Sequence, residues 1–230
     1  MIYTATTGKN AAPFMDILRL YVPPGAEGCD VTYGKGCFWN AESLAHVGKL
    51  HASDLQDGIC LSALPYAEAS MDFHVLDPPY MCGFFRPKAS QKAQAQHSDF
   101  STRYGNHDGT GYKGQYYHAA VAAIYSDGIR EAARVLKPGA IQITKVQDEV
   151  SSHKQHLTHV HVVLEGERNG LEVVDLFVVV RNDKPHGKRI IKQEHARKNH
   201  SFFVVFKKLK AAKSHCQNEI AQTRAQLKSK

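Results

Sequence analysis

Short apolar segments alternate with segments of helical periodicity along most of this sequence. Strands are predicted at 29–32, 49–53, 71–76, 140–146, 171–180 and 201–206. Apolar residues recur at helical spacing in 13–21, 38–47, 118–136 and 153–166. This alternation is typical of an α/β fold with a mostly parallel sheet and helices on both faces. Such sheets bind ligands beyond the carboxyl ends of their strands.

Two distinctive turns follow predicted strands. Tyr33-Gly34-Lys35-Gly36 follows the strand at 29–32, and Asp77-Pro78-Pro79-Tyr80 follows the strand at 71–76. The adjacent prolines end the second strand because they fix φ and lack an N–H. Both turns therefore belong to the edge where a parallel sheet binds its ligand. The alternative for Asp77 is a surface position in a simple strand-ending turn.

Positive charge is concentrated near the end of the sequence. The net charge is +7, and residues 181–230 hold 14 Lys and Arg against 3 Asp and Glu. This asymmetry suggests a polyanionic partner. A solvated basic tail that aids solubility is the alternative. We expect one domain over 1–208 and a basic helix or tail over 209–230, with the basic character starting at Lys207.

Residues 81–117 lack periodicity and combine basic with aromatic side chains, so we predict an inserted target-binding loop. Basic and aromatic groups suit phosphate contact and base stacking, respectively. The nucleic-acid candidates in this loop are Arg86, Lys88, Arg103, Tyr104, Tyr112 and Lys113. A second group is Arg197, Lys198, Asn199 and His200. The alternatives are a plain mobile insertion and a solvated strand edge.

Several classes of site are disfavoured by the sequence. The five cysteines are odd in number and form no CxxC pair, which favours reduced thiols over a zinc site. His153, His156, His159 and His161 are interpreted as a polar helix face, and no metal is expected. The longest apolar run is far shorter than the ~18 residues of a membrane span, so no membrane partner is expected. No signal peptide is recognised, which predicts a cytoplasmic protein.

The two turns, in this order, carry a family resemblance. LDPPY, preceded by a glycine turn and followed by a helix ending in RVLKPG, resembles the S-adenosylmethionine-dependent DNA amino-methyltransferases, which methylate N6 of adenine or N4 of cytosine. Their D-P-F-x-G-S-G-T motif aligns with Asp30-Val31-Thr32-Tyr33-Gly34-Lys35-Gly36-Cys37. Asp30, Gly34 and Gly36 agree with the motif, whereas Val31, Thr32, Lys35 and Cys37 depart from it. The KNHSFFVVF segment is similar to the last strands of small, solitary phage-type methylases.

The resemblance covers about residues 13–208 and implies the Rossmann-like fold of class I methyltransferases, with S-adenosylmethionine as the cofactor. Glycines let the backbone approach a cofactor closely. An acid after the second strand can bind ribose hydroxyls, for which Asp54 is the candidate, with a helix cap as the alternative. Cys60 stands where many of these enzymes carry an acid. The cofactor candidates are Pro13, Phe14, Asp30, Val31, Thr32, Tyr33, Gly34, Lys35, Gly36, Asp54 and Cys60.

Asp77, Pro78, Pro79 and Tyr80 are the catalytic candidates that the resemblance implies. The Asp77 carboxylate and the Pro78 carbonyl would accept both hydrogens of an exocyclic base amine, which then attacks the sulfonium methyl group. Tyr80 offers a ring for stacking. Because the amine is inaccessible in a duplex, the base must be flipped out.

The leading interpretation is an adenine-specific DNA methyltransferase acting on duplex DNA. An N4-cytosine DNA methylase, an RNA base methyltransferase and an inactive nucleic-acid-binding protein on the same fold are the alternatives. The small size predicts a short or relaxed target sequence and no endonuclease in the same chain. The sequence carries no signal for an oligomeric state.

Overall fold

The helices and strands of the protein follow the predicted alternation. A computed structural model describes residues 1–81, 112–182 and 194–210. The helices are α1 (Ala11–Tyr21), α2 (Ala41–His46), α3 (Tyr117–Val135) and α4 (Thr158–Arg168), with a short 3-10 helix at Leu55–Asp57. The strands are β1 (Ala5–Thr7), β2 (Glu27–Asp30), β3 (Lys49–Ala52), β4 (Met71–Leu76), β5 (Leu136–Val146), β6 (Glu149–Ser151), β7 (Lys154–His156), β8 (Leu171–Val180) and β9 (His200–Lys208).

Within the described ranges, seven strands form one sheet in the order β1-β8-β9-β5-β4-β2-β3. β3, β2, β4 and β5 are mutually parallel neighbours, and β1 is parallel to β8. β9 is antiparallel to β5 and to β8, so the other six strands run in one direction. The mostly parallel Rossmann-like sheet that the sequence predicts is confirmed. The carboxyl ends of β2 and β4 are adjacent at one edge.

The two faces of the sheet are covered by different helices. One apolar cluster joins α3 and α4 to the sheet and includes Ile124, Tyr125 and Val162. The other joins α1 and the segment before α2 to the opposite face. Helices therefore lie on both faces, as predicted. None of the helices in the described ranges is long and apolar enough to cross a lipid bilayer.

The α1 face is built on aromatic side chains. The Phe14 ring centroid lies 5.3 Å from that of Phe38, 4.9 Å from that of Trp39 and 6.1 Å from that of Phe203. Trp39 also packs on Phe73 of β4, with 6.2 Å between centroids. Large rings contribute much of the apolar area that such a core removes from water. This aromatic layer lies against the β-strands that lead into the two turns.

The predicted helix at 153–166 is wrong at its start. β6 and β7 form a hairpin, and α4 begins only at Thr158. Ser152 and His153 both have positive φ, of 51° and 61°, as a two-residue hairpin turn of the primed type requires. His153 lies in that turn, and His156 lies in a strand. The four histidines therefore do not share one helix face.

Other boundaries differ from the prediction for local reasons. α2 begins at Ala41 rather than Phe38, because the Asn40 side chain caps it by accepting a hydrogen bond from the Ser43 N–H. β9 continues through Lys208, which pairs with Leu171, so the predicted basic tail does not begin at Lys207. β5 begins at Leu136, directly after α3. The sequence analysis did not predict strand β1. Residues 211–230, which hold most of the predicted basic helix or tail, lie outside the described residues.

Replacing Phe14 by Ala should destabilise the protein strongly, because its fully buried ring contacts three other aromatic rings. We expect a loss of about 3–5 kcal/mol in the free energy of unfolding. Leu20→Ala is the matched control on the same helix, since Leu20 is 51% exposed. The control should change stability by less than about 0.5 kcal/mol. Urea denaturation measures both, and equal losses would contradict this packing.

Candidate active site

A cavity opens at the sheet edge where β2 and β4 end. Its volume is about 390 Å³, within the range of ligand pockets. It is lined by Asn10, Asp30, Thr32, Tyr33, Gly34, Lys35, Cys37, Phe38, Asp77, Pro78, Pro79, Tyr80 and Arg181. Both predicted turns therefore contribute to one cavity.

Asp30, the last residue of β2, organises the glycine turn. Its Oδ1 accepts hydrogen bonds from the Thr32 N–H at 3.0 Å and from the Thr32 hydroxyl at 3.3 Å. Its Oδ2 accepts a hydrogen bond from the Trp39 indole at 2.8 Å. Burial raises the pKa of Asp30 to about 6, although these three hydrogen bonds favour the carboxylate. Both oxygens are thus committed to holding the protein backbone and Trp39.

Thr32 links the two strand ends. Its hydroxyl oxygen accepts a hydrogen bond from the Asp77 backbone N–H at 2.6 Å, while its proton is directed to Asp30. The Tyr33 N–H donates to the carbonyl of Ser53 after β3, at 3.1 Å. The turn after β2 is therefore tied to the ends of both neighbouring strands.

The glycine turn has a backbone that favours glycine. Gly34 and Gly36 have φ values of 52° and 63°, in the left-handed region. A Cβ at Gly36 would lie 2.7 Å from the Tyr33 ring. The turn consequently brings the backbone of Tyr33 to Lys35 to the wall of the cavity.

Asp77 lies on the opposite wall and is held by its own motif. The Tyr80 hydroxyl donates to Asp77 Oδ1 at 2.6 Å. No donor among the described residues reaches Oδ2. Asp77 opens to the cavity on one side, and enclosure by protein on its other sides raises its pKa to about 7, against the hydrogen bond from Tyr80 and the charge of Lys145. Burial, with Asp77 beside it, holds the pKa of Tyr80 well above its ordinary value.

Six of the cofactor candidates do not line the cavity, and one of these is Gly36 in the glycine turn itself. Val31 is buried in the core on the α3 side, and Pro13 and Phe14 are buried in α1. Asp54 accepts the Gln56 N–H at 2.7 Å as the cap of the 3-10 helix. The thiol of Cys60 lies 3.1 Å from the Ser62 hydroxyl. Asn10, Cys37 and Phe38 line the cavity, although the sequence analysis did not single them out.

The predicted nucleic-acid residues fall into three groups. Arg86, Lys88, Arg103 and Tyr104 lie outside the described residues. Tyr112 and Lys113 both donate to the Asp127 carboxylate of α3, at 2.7 Å and 2.6 Å. Tyr112 is also buried, so its ring packs within the fold.

The group at 197–200 lies beside the cavity. The carbonyl of Asn199 accepts a hydrogen bond from the N–H of Arg181, a cavity residue, at 2.7 Å. The carbonyl of Lys198 accepts one from the Gln147 side chain at 3.3 Å. The His200 ring packs edge-on against Phe202, with 5.2 Å between centroids. These contacts bring Arg197 and Lys198 to the same sheet edge as Asp77.

Sequence reasoning missed two cations of this region. Arg181 directly follows β8 and lines the cavity. Lys145 is fully buried in β5, with its Nζ 3.8 Å from the Phe203 ring centroid. Burial lowers the pKa of Lys145 to about 7, against the effect of the Asp77 carboxylate. The sequence signal for Lys145 was a lysine within an otherwise mostly apolar strand.

Histidines near this edge pair with carboxylates. His118 Nδ1 lies 2.8 Å from Glu149 Oε1, and His159 Nδ1 lies 2.7 Å from Asp148 Oδ1. The His118 and His156 rings stack with 3.7 Å between centroids. In the described parts of the chain, no group of three or more His, Cys, Asp or Glu could hold a metal ion.

Comparison with known proteins finds weak structural similarity. No protein-family model matches the chain, and no curated protein matches its sequence. One similar structure is a protein of Thermus thermophilus provisionally named a DNA modification methylase, with 16% identity over 65% of this chain and 50% of that chain, at a TM-score of 0.38. TrmN from Thermus thermophilus has 15% identity over 86% of this chain and 49% of its own, at 0.49.

A third similar structure is the 1,6-didemethyltoxoflavin N1-methyltransferase of Burkholderia thailandensis with bound S-adenosylhomocysteine. Its identity is 13% over 87% of this chain and 79% of that chain, at a TM-score of 0.49. The present chain spans about half the length of the two Thermus proteins. These likenesses do not indicate an activity, and the fold class follows from the strand order and directions of the sheet.

Replacing Thr32 by Val should loosen the link between the two turns. The Asp77 N–H and one oxygen of Asp30 would each lose a hydrogen-bond partner. We expect a loss of about 1–3 kcal/mol in the free energy of unfolding. Thr32→Ser keeps the hydroxyl and should lose less. Fluorescence of Trp39, the only tryptophan, follows unfolding in urea, and equal losses in both variants would contradict the role of the hydroxyl.

Asp30 and Asp77 should each contribute a fall in stability as the pH rises from about 4 to about 7, whereas His74, whose pKa burial lowers to about 3, contributes a rise. Asp30 and Asp77 have folded pKa values of about 6 and about 7 against an ordinary value of 3.8, so the folded state holds protons that the unfolded chain has released. Asp77→Asn should make this fall shallower. Urea denaturation across the window measures it, and an unchanged pH dependence in the variant would contradict a raised Asp77 pKa.

Proposed function

We propose that the protein is an S-adenosylmethionine-dependent methyltransferase that methylates N6 of adenine in DNA. The observation that carries this proposal is the arrangement of the cavity. The glycine turn after β2 forms one wall, and the Asp77-Pro78-Pro79-Tyr80 turn after β4 forms another. A donor held by the first turn and an amine held by the second would therefore meet in one space.

The residues present fit the methyl donor. Backbone groups of Tyr33 to Lys35 can lie against it without a side chain at Gly34. The Lys35 ammonium suits its carboxylate, and the rings of Tyr33 and Phe38 suit a sulfonium cation. When bound, S-adenosylmethionine supplies a methyl group on a positively charged sulfur, and this sulfur becomes a neutral thioether after transfer. Because both oxygens of Asp30 are engaged, Asp30 acts by shaping the turn.

Asp77 and Pro78 would prepare the amine. Oδ2 of Asp77 and the carbonyl of Pro78 can each accept one N–H of an exocyclic amine, which concentrates its lone pair toward the methyl carbon. Tyr80 fixes Asp77 by holding Oδ1 at 2.6 Å. The N–C bond would form as the C–S bond of the bound donor breaks, with the electron pair of that bond staying on sulfur. The methylated nitrogen then releases its extra proton to the Asp77 carboxylate.

Cations at the same edge support a nucleic-acid substrate. Arg181 lines the cavity, and hydrogen bonds to the carbonyls of Lys198 and Asn199 hold the segment that follows Arg197 beside it. Such side chains suit phosphates on either side of a flipped base. We therefore infer that the DNA backbone crosses this edge. N4 of cytosine and RNA amines would use the same catalytic groups and are distinguished by the product.

The direct test is transfer of a tritiated methyl group from S-adenosylmethionine to duplex DNA, single-stranded DNA and RNA in parallel. Mass spectrometry of the digested product identifies the methylated base. We expect N6-methyladenine in DNA. N4-methylcytosine or label in RNA would replace the proposed substrate. The absence of label together with the absence of cofactor binding would indicate a binding protein on this fold.

Asp77→Ala should reduce methyl transfer at least about a hundredfold, because it removes the acceptor that orients the amine. Affinity for S-adenosylmethionine, measured by calorimetry, should stay largely unchanged. Gly34→Val should show the opposite pattern of lost cofactor affinity, because a β-branched residue disfavours the left-handed backbone. Retained turnover in Asp77→Ala would remove Asp77 from the mechanism.

A further inference from the structure

We propose that Lys145 is a positioning residue that sets the ionisation state of Asp77 and thereby decides whether the site can accept an amine. The inference deepens the proposed function and rests on it for its catalytic meaning. Its physical content, a buried pair that shares charge, can be tested without any methyl transfer.

Strand register brings the two side chains together. β4 and β5 are parallel neighbours, and Leu76 pairs with Thr144 at the end of the ladder. Asp77 and Lys145 occupy the next position on each strand. Side chains alternate along strands, so both belong to the sheet face on which Val75 and Ile143 pack. The lysine and the carboxylate thus lie on the α1 face of the sheet at its carboxyl edge, where they interact through their charges without a direct hydrogen bond.

The Lys145 ammonium group is removed from water and lacks a hydrogen-bond acceptor among the described residues. The ring of Phe203, its cross-strand neighbour on β9, lies 3.8 Å from Nζ. The Tyr125 hydroxyl of α3 donates to the Lys145 carbonyl at 2.9 Å and fixes its backbone. A buried ammonium so placed needs a nearby negative charge.

The groups facing Asp77 leave Lys145 as its buried positive partner. From β2, the Asp30 carboxylate adds negative charge, and from the Asp77 turn itself Tyr80 donates a hydrogen bond. Arg181 after β8 is exposed, so solvent weakens its effect. From α3, Tyr125 interacts electrostatically with Tyr80, and from β9 and α1 the rings of Phe203 and Phe14, which do not titrate, pack on each other on this face of the sheet.

Each member of the pair favours the charged form of the other. Burial raises the pKa of Asp77 and lowers that of Lys145, and the opposite charge of the partner resists both shifts. Without Lys145, Asp77 would hold its proton at neutral pH. A protonated carboxyl donates a hydrogen bond where the amine needs an acceptor. Lys145 therefore acts on the amine through Asp77 and not by contact.

Lys145→Met tests this role, since Met keeps an apolar stem of similar length against Phe203. The acid limb of the pH profile for single-turnover methyl transfer should move upward by about 1–3 pH units. Affinity for S-adenosylmethionine should not change, because Lys145 does not line the cavity. Lys208→Met is the matched control, a half-buried lysine at the other end of the sheet whose Nζ donates to the Leu136 carbonyl. An unmoved limb in Lys145→Met would overturn the proposal.

NMR titration supplies a test that needs no activity. The side-chain carbon signals of Asp77 and Lys145 report their pKa values directly. We expect a higher Asp77 pKa in Lys145→Met and a lower Lys145 pKa in Asp77→Asn, because each variant removes the opposing charge. If neither pKa value moves, the pair does not exist and the proposal fails. If both move and no base is methylated, the pair stands and the proposed function fails. Lys145→Gln is the second variant for both measurements, used if Lys145→Met does not fold.

Discussion

The hydrogen bonds of Thr32 hold together the two parts of the site. Its hydroxyl joins the Asp77 N–H to the Asp30 carboxylate, and Asp30 in turn holds Trp39. A single short side chain therefore sets the spacing between the turns after β2 and β4. Thr32 aligns with the third position of the D-P-F-x-G-S-G-T motif, which is Phe. The link is thus a property of this sequence that keeps the two walls of the cavity in place.

Desolvation explains why this cavity differs from an ordinary surface cleft. An aromatic layer of Phe14, Phe38, Trp39 and Phe203 covers the α1 face of the sheet next to the cavity. Charged groups placed against that layer lose contact with water, so burial disfavours their charged forms and the opposite charge of a neighbour resists that shift. The layer consequently stabilises the fold and gives the carboxyl edge its electrostatic character. Packing and chemistry here depend on the same side chains.

The sequence was sufficient to predict the two turns and their proximity. β4 ends where Asp77 is followed by two prolines, and parallel strands bring their carboxyl ends to one edge. The proximity of Arg181 and Lys145 to Asp77 could not be predicted, because it depends on strand order and register; the sequence showed only that Lys145 lies within an apolar strand. The hairpin before α4 was also missed, since Ser152 and His153 take left-handed conformations without glycine. The sequence favoured a ribose contact for Asp54 with a helix cap as the alternative, and in the structure Asp54 caps the 3-10 helix.

A crystal structure of the protein with S-adenosylhomocysteine is the most direct test of whether this cavity holds the methyl donor. We expect its amino-acid part against the backbone of Tyr33 to Lys35 and its sulfur directed toward Asp77. Asp54 should remain in its cap and make no ribose contact. Electron density for the ligand at another edge of the sheet, or its sulfur turned away from Asp77, would contradict the assignment of this cavity as the active site.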